Sequence, residues 1–150
     1  MSSDLTKRFK DLEKSTNKSI NIIEKDFAKH TDKVNSDVEK FRSEMKEAFA
    51  KRRELVISLF NDIPGIKCNN PKGAFYVFPD MSEYFGKSDG HITIDNSEEF
   101  CEAILENTHV ALVPGIAFGN GNCFRLSYAA SEEELIDAIG RIKKYLATFK

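Results

Sequence analysis

The stretch NCFRLSYAAS, residues 122–131, sets one arginine in the middle of what otherwise reads as a buried strand. Alternation sorts its side chains: Phe124, Leu126 and Tyr128 point one way, and Cys123, Arg125 and Ser127 the other. The strand ends at Ser131, which with Glu134 forms the signature of a helix-starting capping box. The helix that follows, EEELIDAIGRIKKYLATF, carries Leu135, Ile139, Ile142 and Leu146 on one face. A strand feeding an amphipathic helix in this way requires the helix to pack on a sheet.

Working upstream, HVALVPG (109–115) reads as a second buried strand closed by Pro114 and Gly115, with a tight turn at Asn120–Gly121 before the third. GAFYVFPD (73–80) is an apolar, aromatic-rich run that reads as a strand buried on both faces. Between them, MSEYFGKSDGHITIDNSEEF reads as a polar loop. Ser97 is the expected cap of a helix from about Glu98 to Asn107, with Phe100, Ile104 and Leu105 facing inward. From residue 38 the order is helix, strand, helix, strand, strand, helix. The expected fold class is α/β, a small sheet of about three strands covered by helices.

The amino-terminal part differs. Ser2 to Ile63 contains no glycine or proline, and Pro64–Gly65 supplies the stop. Apolar residues recur at steps of three and four: Leu5, Phe9, Leu12, then Ile20, Ile23, Phe27, then Val34, Val38, Phe41, Met45. Thr16 and His30 interrupt this near-heptad seam. NKSIN and Asn35–Ser36 are candidate breaks, where Asn35 or Ser36 could cap a new helix near Asp37; the alternative is one unbroken helical rod over the first sixty or so residues. The expected division is a helical extension over 1–37, coiled-coil-like in pattern, and a globular domain over 38–150.

A net charge of −2 favours neither nucleic acid nor an anionic membrane as partner. The basic triplet at 51–53 sits in a helical pattern beside Glu47 and Glu54 and reads as a solvated face. Cys68, Cys101 and Cys123 are odd in number and too widely spaced for a zinc knuckle, which suits thiols used as small apolar residues. No apolar run approaches a bilayer span, and MSSDLTKRFK lacks the pattern of a leader, so a cytoplasmic location is expected. His30, His91 and His109 form no metal-ligand spacing, and Asp80 reads as ending a strand and capping a turn. FGNGN lies between strands with no helix after it, unlike a phosphate-cradling loop.

Arg125 is the candidate binding residue. A guanidinium is planar, permanently charged and offers a fork of donors that fits a carboxylate with two hydrogen bonds. The alternative is a strand-edge arginine that reaches water or pairs with a nearby Asp or Glu.

KRRELVISLFNDIPGIKCNNPKGAFYVFPDMS, VALVPGIAFG and FRLSYAASEEELIDAIGRI together resemble, in order and spacing, the carboxy-terminal small domain of class I pyridoxal-phosphate-dependent aminotransferases. The aspartate aminotransferase-like branch is the most similar. The resemblance implies that Arg125 binds the substrate α-carboxylate and that Phe75 helps wall the substrate pocket. It also implies that Gly73, Pro114, Gly115, Phe118 and Gly119 shape the cleft. It implies pyridoxal phosphate as cofactor, and an amino acid and a 2-oxo acid as substrates.

The family's cofactor half is not found in these residues. Its members carry a Schiff-base lysine in a Ser-x-x-Lys context followed by Gly-Trp-Arg, and this sequence has no tryptophan. STNK at 15–18 matches by letter alone. The expected function is amino-group transfer completed by a large-domain partner. The alternatives are a non-catalytic domain acting in association with itself or another protein, and a gene remnant.

Overall fold

The computed structural model describes residues 2–150. Helix α1 runs over Ser2–Asn61, and two compact units divide between Met45 and Lys46.

In the first unit the helix passes through Asn35 and Ser36 without a break, so the unbroken alternative is the one formed. Asn and Ser cost only tenths of a kcal/mol in a helix, and with no glycine or proline nearby nothing ends it. Polar side chains also fold back onto the helix's own carbonyls. Thr31 Oγ1 donates to the Phe27 carbonyl at 2.9 Å, Ser19 Oγ to Ser15 at 3.1 Å, and His30 Nδ1 to Asp26 at 2.9 Å. The apolar seam is exposed, Phe9 at 70% and Phe27 at 74%.

In the second unit the last turns of α1 contribute Val56 and Phe60 to the core, both fully buried. The helix stops ahead of Pro64 and Gly65, the latter at φ +86°. Strands β1 (Tyr76–Val77), β2 (Val113–Pro114) and β3 (Phe124–Ser127) form an antiparallel sheet in the order β1-β3-β2. Tyr76 pairs with Ser127 and Val113 with Arg125. Helices α2 (Ser97–Thr108) and α3 (Glu132–Leu146) complete the three-helix, three-strand arrangement expected from the sequence.

The core is an aromatic column. Phe124 stacks on Phe100 at 5.3 Å and meets Phe60 edge-on at 5.4 Å, and Tyr84 follows 5.9 Å from Phe100. All four α3 residues expected to face inward are buried. Its capping box is present: Glu134 N–H donates to Ser131 Oγ at 3.2 Å, and Ser131 N–H to Glu134 Oε2 at 3.0 Å. Ser131→Ala is expected to lower stability by about 1 kcal/mol, read as a shifted urea midpoint at unchanged slope.

Several local expectations need correction. The run 73–80 is not buried on both faces: Val77 is buried, but Phe75 is 57% exposed and Tyr76 is also exposed. Only two of its residues are strand, because β1 is an edge with no sheet neighbour beyond it. The run 109–115 is likewise strand only at Val113–Pro114, and His109 is the left-handed C-cap of α2 (φ +55°) rather than the first strand residue.

Asn96, not Ser97, caps α2; its Oδ1 accepts from the Glu98 and Glu99 N–H groups at 3.0 and 2.9 Å. Leu105 is exposed, and Cys101 and Ala103 take the inner face with Phe100 and Ile104. The segment read as a polar loop buries Met81, Tyr84 and Ile94. It is pinned to the chain end by paired Ser88 and Lys150 backbones and by Tyr145 Oη donating to Asp89 at 2.9 Å. Cys123, expected on the open face, is buried.

Candidate functional site

Arg125 sits in β3, the middle strand, with its backbone paired to Val113 of β2 while the next two residues pair with β1. The odd-position face of β3 does not simply carry small side chains. The Arg125 guanidinium carbon lies 4.8 Å from the centre of the Phe118 ring and 5.5 Å from that of Tyr76. These are cation–π distances, so the guanidinium lies over both rings. Phe118 in turn meets Phe78 edge-on at 6.0 Å, and Tyr76 meets Phe75 edge-on at 5.7 Å. Arg125 is half-buried, while Phe118 and Phe75 are 51% and 57% exposed, so the group opens to solvent. Among the described residues no carboxylate lies within ion-pair distance of Arg125, so the alternative of a strand arginine paired with a nearby Asp or Glu is not what the fold adopts.

Phe118 is placed by a single 3-10 turn, Gly115–Phe118, that follows directly on β2. Gly115 N–H donates to the Cys123 carbonyl at 2.8 Å, and Asn120 N–H donates to the Gly115 carbonyl at 3.1 Å. A Cβ at Gly115 would come within 2.2 Å of both the Asn120 and the Cys123 carbonyl oxygens, so only glycine fits. Gly119 closes the turn in the left-handed region at φ +79°. Pro114, paired with Phe124, anchors the strand end of the same hairpin. The turn expected at Asn120–Gly121 is thus the second half of a longer connection.

Of the residues singled out in the sequence, Arg125 and Phe118 are in contact, and Pro114, Gly115 and Gly119 build the backbone under Phe118. Phe75 joins through Tyr76, and its carbonyl accepts from Tyr128 N–H at 2.9 Å. Gly73 lies elsewhere, lining a cavity of about 240 Å³ with Arg53, Lys72 and Tyr128. Beside it Ala74 is held at φ +70°, its carbonyl accepting from Tyr128 Oη at 2.8 Å.

Tyr76 and Phe78 were missed as members of the group. Tyr76 was legible in principle, since it pairs with Ser127 and so stands diagonal to Arg125. Asp80 does cap a turn, accepting from Ser82 N–H and Oγ at 2.9 and 2.6 Å. Lys18 of the STNK match lies on the exposed part of α1.

The cysteines are free thiols, and burial pushes Cys68 up to about 11 and Cys101 up to about 12. Neither is poised as a nucleophile. Among the described residues no cluster of His, Cys, Asp and Glu is arranged to hold a metal ion, and no helix is long and apolar enough to cross a membrane.

The family model for aminotransferases of class I and II matches residues 25–142. The chain belongs to that family. The match begins inside the segment read from sequence as an extension ending at 37.

The bifunctional aspartate aminotransferase and glutamate/aspartate-prephenate aminotransferase of Petunia hybrida is 48% identical over 107 residues, which are 71% of this chain and 22% of that protein. The aspartate/prephenate aminotransferase of Cereibacter sphaeroides is 46% identical over 113 residues, 75% of this chain and 28% of its own length. The crystal structure of the aspartate aminotransferase from Rhizobium meliloti superposes with a TM-score of 0.71 at 41% identity, covering 73% of this chain and 28% of that one. These residues therefore span about a quarter of the relatives they match, as a partial aminotransferase domain.

Proposed function

We propose that this chain supplies the carboxylate-gripping part of an aminotransferase, with Arg125 binding the α-carboxylate of an amino acid or 2-oxo acid. The observation that carries the reading is a rigid, half-buried guanidinium, without a carboxylate partner among the described residues and framed by Tyr76 and Phe118. The two rings contact the guanidinium without using up its N–H donors, which stay available to a ligand carboxylate through charge-assisted hydrogen bonds. Substrates of the aspartate type are suggested by the names of the relatives.

Pyridoxal phosphate is the cofactor the family implies, and the residues around Arg125 do not fit it. The group built by Tyr76, Phe78, Val113 and Phe118 offers neither an amine for a Schiff base nor a carboxylate for the pyridinium nitrogen. No step is therefore assigned through the cofactor on these residues. Amino-group transfer requires a second polypeptide segment carrying the lysine and the phosphate cup. On this reading residues 1–37 are an added helical extension and 38–150 the substrate-side domain.

The test is an NMR titration of the purified chain with 2-oxoglutarate. Amide shifts are expected to concentrate at Phe118, Arg125 and Tyr76. Arg125→Ala is expected to weaken binding at least about tenfold, the loss of one charge-assisted pair, while far-UV circular dichroism stays unchanged. Equal binding by the variant would reject the assigned role.

A further inference from the structure

We propose that the exposed apolar stripe of α1 between Leu5 and Met45 pairs this chain with a second copy of itself, as a parallel, in-register two-helix association. This inference is independent of the role given to Arg125.

The stripe is too apolar to be a solvated face. Phe9, Phe27 and Phe41 are 70%, 74% and 62% exposed on a helix whose remaining positions are rich in Lys, Asp, Asn and Ser. Its phase is held along the whole segment. Phe9, Ile20 and Ile23 are followed 18 residues later by Phe27, Val38 and Phe41, a spacing of about five full helical turns. A stripe at the natural helical period does not wind around its helix, so a straight partner helix can follow it with little supercoil. The ten large apolar residues along it would cover on the order of 800 Å² per helix, about what a stable interface buries on each side.

The phase also runs unbroken through residue 25, where the family match begins. An occupant that served only the family-like part of the helix would leave Phe9, Leu12, Ile20 and Ile23 without a purpose. One partner along the full length accounts for both parts.

Charge placement selects a second copy and its direction. Flanking the Phe9–Leu12 layer are Arg8 on one edge and Glu13 on the other. Flanking the Val38–Phe41 layer are Asp37 and Arg42 on the same two edges, with the signs reversed. In a parallel pair, opposite edges meet with a five-residue offset, so Arg8 faces Glu13 and Asp37 faces Arg42 of the second copy, each twice by symmetry. Among the described residues Arg8, Glu13 and Asp37 have no ion-pair partner within the chain; Arg42 has only the exposed Glu39 at 3.0 Å.

An antiparallel pair centred on Phe27 would set Thr16 level with Val38 and His30 level with Glu24. The parallel pair instead stacks Thr16 on Thr16 and His30 on His30, polar layers that fix register.

Sedimentation equilibrium of the full chain at micromolar concentration is expected to give twice the chain mass. Ile23→Glu with Phe27→Glu should weaken the association at least about 100-fold, because charges would be buried in the seam. Near-UV circular dichroism should stay unchanged, since neither residue belongs to the core of the second unit. Arg8→Glu should weaken association, and adding Glu13→Arg should restore it.

For direction, Leu12→Cys is expected to give a covalent dimer on mild oxidation that the native cysteines do not give. A monomer at all concentrations, a dimer indifferent to the double Glu variant, or no cross-link at residue 12 would each overturn the proposal.

Discussion

Gly115→Ala is expected to cost at least about 3 kcal/mol and to displace Phe118 from Arg125. The new methyl would enter a space already bounded by two backbone carbonyl oxygens at 2.2 Å. Those oxygens belong to Asn120 and Cys123, which are tied to Gly115 by the hydrogen bonds that define the turn. They cannot swing aside as the end of a flexible side chain would. Relief requires the 3-10 turn to open, losing the Gly115–Cys123 and Asn120–Gly115 bonds and the start of the β2–β3 pairing.

Overpacking of this kind commonly costs about 1–3 kcal/mol and more where backbone must move. A domain of this size has only about 5–15 kcal/mol in total. The urea midpoint measures the loss, and the 2-oxoglutarate titration measures its effect on the site. If the variant keeps both its midpoint and its binding, the turn does not position Phe118 as described.

Gly115 was singled out from the VPG motif, but its reason, two carbonyls closing over the Cα, belongs to the folded turn. The α3 face was fully legible because Leu135, Ile139, Ile142 and Leu146 keep a strict period on an element exposed on its other side. Its capping box was legible because both partners lie three residues apart.

The α2 start was missed by one residue because Asn96 and Ser97 are both good caps, and only the fold buries Ser97 and leaves Asn96 to bind the open N–H groups. Met81, Tyr84 and Ile94 have no period at all. They enter the core because the loop is pulled in at Ser88 and Asp89 by the chain end, a long-range contact that local pattern does not encode. Arg125 stood out by charge in an apolar run, whereas Tyr76 and Phe78 look like ordinary strand aromatics until the register sets Tyr76 beside it.

Phe124→Ala is expected to destabilise the second unit by about 3–5 kcal/mol, the range for truncating a buried phenylalanine. Phe124 is fully buried and joins the column at its middle, stacked on Phe100 and edge-on to Phe60. Its removal would leave two rings without their shared neighbour on elements that are distant in sequence, α1 and α2, so the cavity cannot close by a local shift.

Phe124→Leu retains most of the volume and should cost about 1 kcal/mol. The contrast between the two substitutions therefore separates packing from any loss of the strand itself. Because Arg125 is the next residue on the same strand, a column that holds Phe124 also fixes where the guanidinium emerges. In the leucine variant 2-oxoglutarate binding should be kept, and in the alanine variant it should weaken even where the chain remains folded. A cost below about 1 kcal/mol for the alanine variant, read from the urea midpoint at unchanged slope, would show that the column is not what anchors β3.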